Sequence, residues 1–465
     1  MSKSGYVLAG FETLATILNN FSLGKRGRFN DNFTKDQISK FLRETCSGFL
    51  HSYGQNFSGK KKYQKYNQME AELYRKCRRW GFFDDCTFIA DSGGFQISVG
   101  RMDKNESDLL QKMYYDWLRE YHQVLQKAFI LDVPPGPGCK VFETFEDVYN
   151  LNLESYQMAR NLPNEVREKI IYIHHFRTPR LWDIYTRILR EDDMFSSFKY
   201  HGTGGIVANM SADMSIPCII YVIPMVPLLI EAKKHGRDFL NFHILGGASF
   251  RDVMVYELFK KVVLEHHNIK LNITYDSSGL FKSFMIGRYL WVDHPDGYLK
   301  KMDLRTPNID KRFYRKSPVS ERYQLIMDEF ADKYNFKRIE VGNVYNPETG
   351  TFFEDIKVYS MLYMLDQWAV IQQKMKELAD KLYPLYEAGE DELFSTQCAV
   401  TLKNLNSGKV TKKQIAKSHS ILRSLDLLAR LDEEYCKYLV TTYLSKDEFK
   451  LNRKRGVLTL PNVAI

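Results

Sequence analysis

The chain has 465 residues and a formal charge of +9, with 66 Lys and Arg against 57 Asp and Glu, and 44% of it is hydrophobic. That length and apolar content support a large core and exclude a disordered or low-complexity chain, while the basic balance favours a polyanionic partner without proving one. Seven cysteines, an odd number without CxxC or CxC spacing, speak against a disulfide scaffold and against a local zinc loop.

The first segment, Tyr6-Val7-Leu8-Ala9-Gly10, reads as a strand, and Thr34 to Phe49 as a helix that Thr34 and Gln37 start with capping-box spacing. His51 to Tyr66 is polar and basic around Lys60-Lys61-Lys62 and reads as an exposed loop. From residue 87 the rhythm becomes strand, loop, helix. Thr87 to Ala90 is a strand, and Glu106 to Gln126 a helix with Leu109, Leu110, Met113, Trp117, Leu118 and Val124 as its apolar set. Strands follow at Phe129–Leu131, Ile171–Ile173, Lys199–His201, Phe242–Leu245 and Leu271–Tyr275. Helices alternate with them at Phe145–Arg160, Leu181–Arg190, from Pro217 onward, and at Phe250–Glu265. Repeated βα units with candidate residues at five strand ends indicate an α/β fold of the TIM-like (β/α)8 barrel type. A doubly wound sheet is the alternative, but it gathers its site at one switch point.

After Gly279 the pattern breaks. A basic loop carries Arg305, Lys311, Arg312, Arg315 and Lys316, and helices are expected at Tyr323–Tyr334, Ile356–Tyr383, Gln414–Arg430 and Glu433–Tyr443. The chain therefore divides into a barrel with basic loops, residues 1–320, and a mainly helical region, residues 321–465. The start Met1-Ser2-Lys3-Ser4 lacks the apolar run of a signal peptide. The longest apolar stretch, Ile219 to Ile230, is broken by Pro224 and Pro227. The expectation is a cytoplasmic protein with no membrane partner.

Chemistry concentrates at the strand ends. Asp91-Ser92-Gly93-Gly94-Phe95-Gln96 follows an apolar strand, so a carboxylate is held beside two glycines that let a planar ligand approach the backbone. Asp132 precedes Val133-Pro134-Pro135-Gly136, Gly204-Gly205 follows a strand, and Asp276 precedes Ser277-Ser278-Gly279. A carboxylate on a strand end can attack a sugar's anomeric carbon, and two converging on one ligand divide acid and base roles. Each Asp taken alone is also an ordinary turn or cap residue. His175 lies at a strand end, whereas His266 and His267 follow a helix and read as surface. No GxxxxGK[ST] loop, strand-linked GxGxxG or HExxH is present.

Asp91-Ser92-Gly93-Gly94-Phe95-Gln96, Asp132-Val133-Pro134-Pro135, Gly204-Gly205-Ile206-Val207-Ala208 and Asp276, in that order, resemble the tRNA-guanine transglycosylase superfamily over residues 87 to 280. Members exchange guanine in a polynucleotide for a 7-deazaguanine base within a TIM barrel. The resemblance implies Asp276 as the nucleophile that forms a covalent glycosyl-enzyme, and Asp91 as a catalytic residue that binds base and moves protons. It implies Asp132 as the acceptor for guanine's N–H groups, with Ser92, Gly93, Gly204 and Gly205 lining the base pocket. His175-Phe176-Arg177 stands where the family usually has Gln-Gly-Gly, a departure that implies altered recognition of the exocyclic keto group and a different incoming base; His175, at that strand end, is the candidate base contact.

The family's tRNA enzymes carry a CxCxxC and a His for structural zinc after the nucleophile, and this sequence has none there. That departure resembles the branch that inserts 7-deazaguanines into DNA, known from phages and bacterial modification clusters. It implies DNA as partner, tRNA as the alternative, and a free 7-deazaguanine such as preQ0 as second substrate. No cofactor and no metal are implied, and a homodimer is left open. If the chain is phage-encoded, the compartment is the host cytoplasm. Lys60, Lys61, Lys62, Arg305, Lys311, Arg312, Arg315 and Lys316 are the candidates for backbone contact. A non-catalytic nucleic-acid-binding subunit is the competing class, and a barrel hydrolase acting on small nucleosides a third.

Overall fold

The computed structural model describes residues 5–9, 34–57, 63–79, 87–134, 141–142, 145–176, 178–191, 193–204, 217–277, 289–293, 299–303, 318–338, 345–346, 351–352, 354–404 and 412–444. Eight strands form a closed barrel: β1 Tyr6–Ala9, β2 Gly48–Ser52, β3 Thr87–Asp91, β4 Lys127–Phe129, β5 Ile170–His174, β6 Tyr200–Thr203, β7 Phe239–Ile244 and β8 Lys270–Ser277. Every neighbouring pair is parallel, and β1 closes on β8 with Val7 opposite Asp276. The expected TIM-like barrel is the observed one, and closure of β1 on β8 excludes the doubly wound sheet.

Local chemistry explains the elements. The Lys35–Thr45 helix starts on a capping box between Thr34 and Gln37, as its sequence spacing predicts. The same device starts the Lys104–Tyr121 helix at Asp103 and Glu106, and the Phe250–His267 helix at Ser249 and Asp252. Pro224 separates the helices Pro217–Val222 and Met225–Lys234, because a proline cannot donate the next helical hydrogen bond.

Three sequence expectations are corrected. The first helix stops at Thr45, and Phe49 belongs to β2. The described residues between His51 and Tyr66 are not an exposed loop. His51, Ser52, Tyr53 and Tyr66 are buried, and a helix begins at Tyr63. His51 is held by a buried Glu70 at 2.8 Å, and the Tyr53 ring packs on Tyr66, Tyr114 and Trp117. Leu109, expected in the core, is exposed on its helix. Lys60, Lys61, Lys62, Gly205, the basic loop from Arg305 to Lys316 and the tail Arg453-Lys454-Arg455 lie outside the described residues.

The C-terminal helices complete the barrel. The Glu354–Glu387 helix packs between the Phe250–His267 helix and the Lys35–Thr45 helix, the slot that covers the β8–β1 seam. Trp368 there meets the outward Tyr6 of β1 edge-on at 5.7 Å, and Lys261 pairs with Asp380 at 2.7 Å. The Pro318–Tyr334 helix brings Phe330 and Tyr334 onto Phe41. A further layer, Asp391–Asn404 and Lys412–Arg430, packs on the helices at Pro217–Val222 and Phe250–His267. Among the described residues no helix is long and apolar enough to cross a membrane.

Trp368 is 2% exposed and joins the helical region to the barrel wall. Trp368→Ala is expected to lower unfolding free energy by about 3–5 kcal/mol, measured by urea denaturation; a change under about 1 kcal/mol would mean that the contact is not part of one cooperative fold.

Candidate active site at the barrel mouth

In a closed parallel barrel the carboxyl ends of all strands open on one mouth, and residues there share it whatever their separation in sequence. Asp91 ends β3, Asp132 lies three residues past β4, His175 immediately follows β5, Gly204 follows β6, and Asp276 sits near the end of β8. Asp276 therefore lies within a strand and not after it, which removes the helix-cap reading of that residue. Parallel register places side chains of paired residues on the same face. Ser52 pairs with Asp91, and Val7 with Asp276. The alternate positions His51 and Tyr6 contact outer helices, which turns Ser52, Asp91 and Asp276 inward.

The loop after β3 is held by backbone packing. Gly93 has φ +97°, a left-handed conformation that favours glycine. A side chain on it would meet the Gly54 Cα at 2.6 Å. A Cβ on Gly94 would stand only 1.6 Å from the Asp132 carbonyl oxygen. The glycine pair thus lets the β3 and β4 ends close on each other, a reason separate from ligand approach. Gln96 is buried and links the loop to β2, with Oε1 3.3 Å from the Ser52 hydroxyl and Nε2 donating to Gln55 at 3.2 Å.

Asp132 is fixed from behind. Asn152 accepts from the Val133 N–H at 2.8 Å and donates to the Val133 carbonyl at 3.0 Å, while the Tyr114 hydroxyl donates to Phe129 at 2.7 Å. In front, Asp132 Oδ2 lies 3.3 Å from His175 Nε2. It also lies 3.0 Å from where a Cβ on Gly204 would stand. A side chain at residue 204 would crowd the carboxylate. His175 is 1% exposed and Ser92 wholly buried, yet neither ring nitrogen nor the serine hydroxyl makes a hydrogen bond. Buried polar atoms normally find partners, so these groups at the barrel mouth are candidates for ligand contact.

Asp276 is held on one oxygen. The Gly246 N–H donates to Oδ1 at 2.9 Å, and His243 Nε2 lies 3.4 Å from the same atom. Gly246 has φ +80°, the left-handed turn that aims its N–H back at β8. Asp91 shows the electrostatic result of this crowding. Burial pushes its carboxyl up to about 6, the charges of Asp132 and Asp276 push the same way, and contacts with Ser52 and the Gly93 N–H oppose them. Asp91 thus stands close enough to Asp132 and to Asp276 to feel both.

Ser52 and His243 are site residues that the sequence reading passed over as functional groups, whereas the Gly246-Gly247 pair at a strand end was legible. The signal of the two missed residues is a polar side chain at an inward position of a barrel strand, and it becomes readable only with the register. His266 is exposed on its helix as expected, whereas the half-buried His267 reaches the Leu428 carbonyl at 2.6 Å. Among the described residues no group of three or more His, Cys, Asp or Glu could hold a metal ion.

Gly94→Ala is expected to drive the β4 end away from β3 and cost about 3 kcal/mol. The measurement is the thermal midpoint; a variant matching the parent would refute the close approach. No protein-family model matches this chain, and no curated protein matches it.

Proposed function

We propose that this chain is a transglycosylase that exchanges guanine in DNA for a free 7-deazaguanine base through a covalent glycosyl intermediate on Asp276. The observation that carries the reading is the convergence of Asp91, Asp132 and Asp276 on one mouth, beside a Ser92 hydroxyl and a His175 ring that make no hydrogen bond. The sequence motif around Asp91 supports the same chemistry.

With the proton on Nε2, His175 would offer a donor 3.3 Å from Asp132 Oδ2, and the two Asp132 oxygens would offer acceptors. Guanine's edge, with its keto oxygen, ring N–H and amino group, is the complement. A 7-deazaguanine keeps that edge, so one pocket accepts both leaving and incoming base. Adenine would set its amino group against the donor and leave buried groups unpaired, a mismatch that discriminates strongly. The half-exposed Phe95, directly after the glycines, offers a ring on which a flipped or single-stranded base can stack.

In the first displacement an Asp276 oxygen bonds to C1′ as the bond from C1′ to guanine N9 breaks, and Asp91 in its acid form protonates the departing base. In the second, the Asp91 carboxylate takes the proton from N9 of the incoming base, N9 bonds to C1′, and Asp276 leaves as carboxylate. Two displacements retain configuration. Net basic charge favours a nucleic-acid substrate. DNA rather than tRNA rests on the resemblance to the branch without a zinc loop.

Asp276→Asn is expected to fold normally and lose incorporation of labelled 7-deazaguanine by roughly a thousandfold or more. Parallel assays on single-stranded DNA, duplex DNA and tRNA identify the polymer, and undiminished incorporation would overturn the assignment. Turnover of free nucleosides without polymer would favour a hydrolase, and binding without exchange a non-catalytic subunit.

A second expectation follows from Asp91, whose carboxyl sits at about 6. Adduct formation needs its acid form and should fall as pH rises through about 6. Base insertion needs the carboxylate and should rise over the same range. Single-turnover rates of the two half-reactions read this directly. Limbs that persist in Asp91→Asn would assign the proton transfer elsewhere.

A further inference from the structure

We infer that His243 is a positioning residue for Asp276: it holds Oδ1 so that Oδ2 is the oxygen that bonds to the anomeric carbon. The inference rests on the transglycosylase reading above and adds to it the atom that reacts and the group that selects it.

His243 sits in β7, is 2% exposed, and pairs in register with Thr274 of β8, two residues before Asp276. Its Nδ1 is 2.9 Å from the Thr274 hydroxyl, its Nε2 is 3.4 Å from Asp276 Oδ1, and the Phe129 ring lies 4.8 Å away across the barrel. Nε2 is buried and makes no hydrogen bond, so the contact with Asp276 is close but not yet aligned. Contacts of this kind tighten when a substrate fills the site.

The chemistry fixes the ring's tautomer. A carboxylate only accepts, so an imidazole facing it is best served with the proton on Nε2. The Thr274 hydroxyl can then donate to Nδ1, and the hydrogen bond at one ring nitrogen sets the state of the other. Asp276 Oδ1 thereby meets two donors, the Gly246 N–H and His243 Nε2–H. Oδ2 is left for carbon.

The consequence differs between the half-reactions. In the ester intermediate Oδ1 is a carbonyl oxygen. When incoming N9 attacks C1′, the Oδ2–C1′ bond breaks, its electron pair returns to the carboxylate, and the N9 proton passes to Asp91. Negative charge grows on Oδ1 during that step, where the two donors receive it. His243 therefore assists departure of Asp276 most, and it touches neither base.

The test uses the full chain and a guanine-containing single-stranded oligonucleotide. The covalent adduct is formed with free base withheld, then discharged by adding guanine. His243→Leu is expected to slow discharge by about tenfold or more, short of the hundredfold or more seen when a donor aimed at developing charge is lost. Apparent KM for guanine should hold. His243→Gln, which restores an amide N–H near Nε2, should recover most of the rate. Thr274→Val keeps the ring and tests the tautomer without emptying the core; a slower discharge is expected. If the wild-type chain forms no adduct, the transglycosylase reading fails. If it forms the adduct and His243→Leu and Thr274→Val discharge it at the wild-type rate, the positioning role fails alone. A Gln variant no better than Leu would assign His243 to packing and overturn the inference.

Discussion

Like charges held together in a water-poor site repel one another, and folding must offset that repulsion locally. This chain brings Asp91, Asp132 and Asp276 to one barrel mouth and answers the problem differently at each. Asp91 is the carboxyl pushed up toward neutrality, to about 6. Asp132 has the His175 ring beside it, and Asp276 has a backbone N–H with the His243 ring behind. Three chemically identical groups acquire three environments, and such separation is what acid, base and nucleophile roles require.

The barrel supplies the stiffness that makes these environments distinct. Asp132 lies beyond the β4 ladder, yet Asn152 clamps the Val133 backbone on both sides. The β3 and β4 ends approach so closely at Gly94 that no side chain fits between them. At the closing seam, β1 and β8 are joined by their ladder and by the Tyr6 hydroxyl donating to the Ser277 carbonyl at 3.0 Å. The Glu354–Glu387 helix then covers that seam through Trp368. The helical region is thereby coupled to the strand that carries Asp276, and its packing belongs to the site's support.

Much of this was legible in the sequence, for physical reasons. Strands buried on both faces read as apolar runs, and an Asp or Gly pair at the ends of five of them marked the mouth. β2 was lost because Gly48-Phe49-Leu50 continues the apolar rhythm of the helix before it, and because His51 and Ser52 look polar in isolation. They are buried because Glu70 and Gln96, from other elements, satisfy them. His243 was missed for a related reason. Its neighbours Phe242 and Ile244 advertise a strand, while its own partner Thr274 is 31 residues away and meets it only through the β7–β8 register. Residue types at strand ends announce a site; which atoms touch depends on register.

The central claim is that Asp276 becomes covalently bonded to the sugar while Asp91 and Asp132 do not. The most direct measurement is proteolytic mapping, by mass spectrometry, of an adduct trapped between the wild-type chain and a guanine-containing oligonucleotide with no free base present. The account expects the nucleotide mass on the peptide carrying Asp276, with free guanine released in equal amount. An adduct on the Asp91 or Asp132 peptide, or guanine release with no adduct on any peptide, would contradict it.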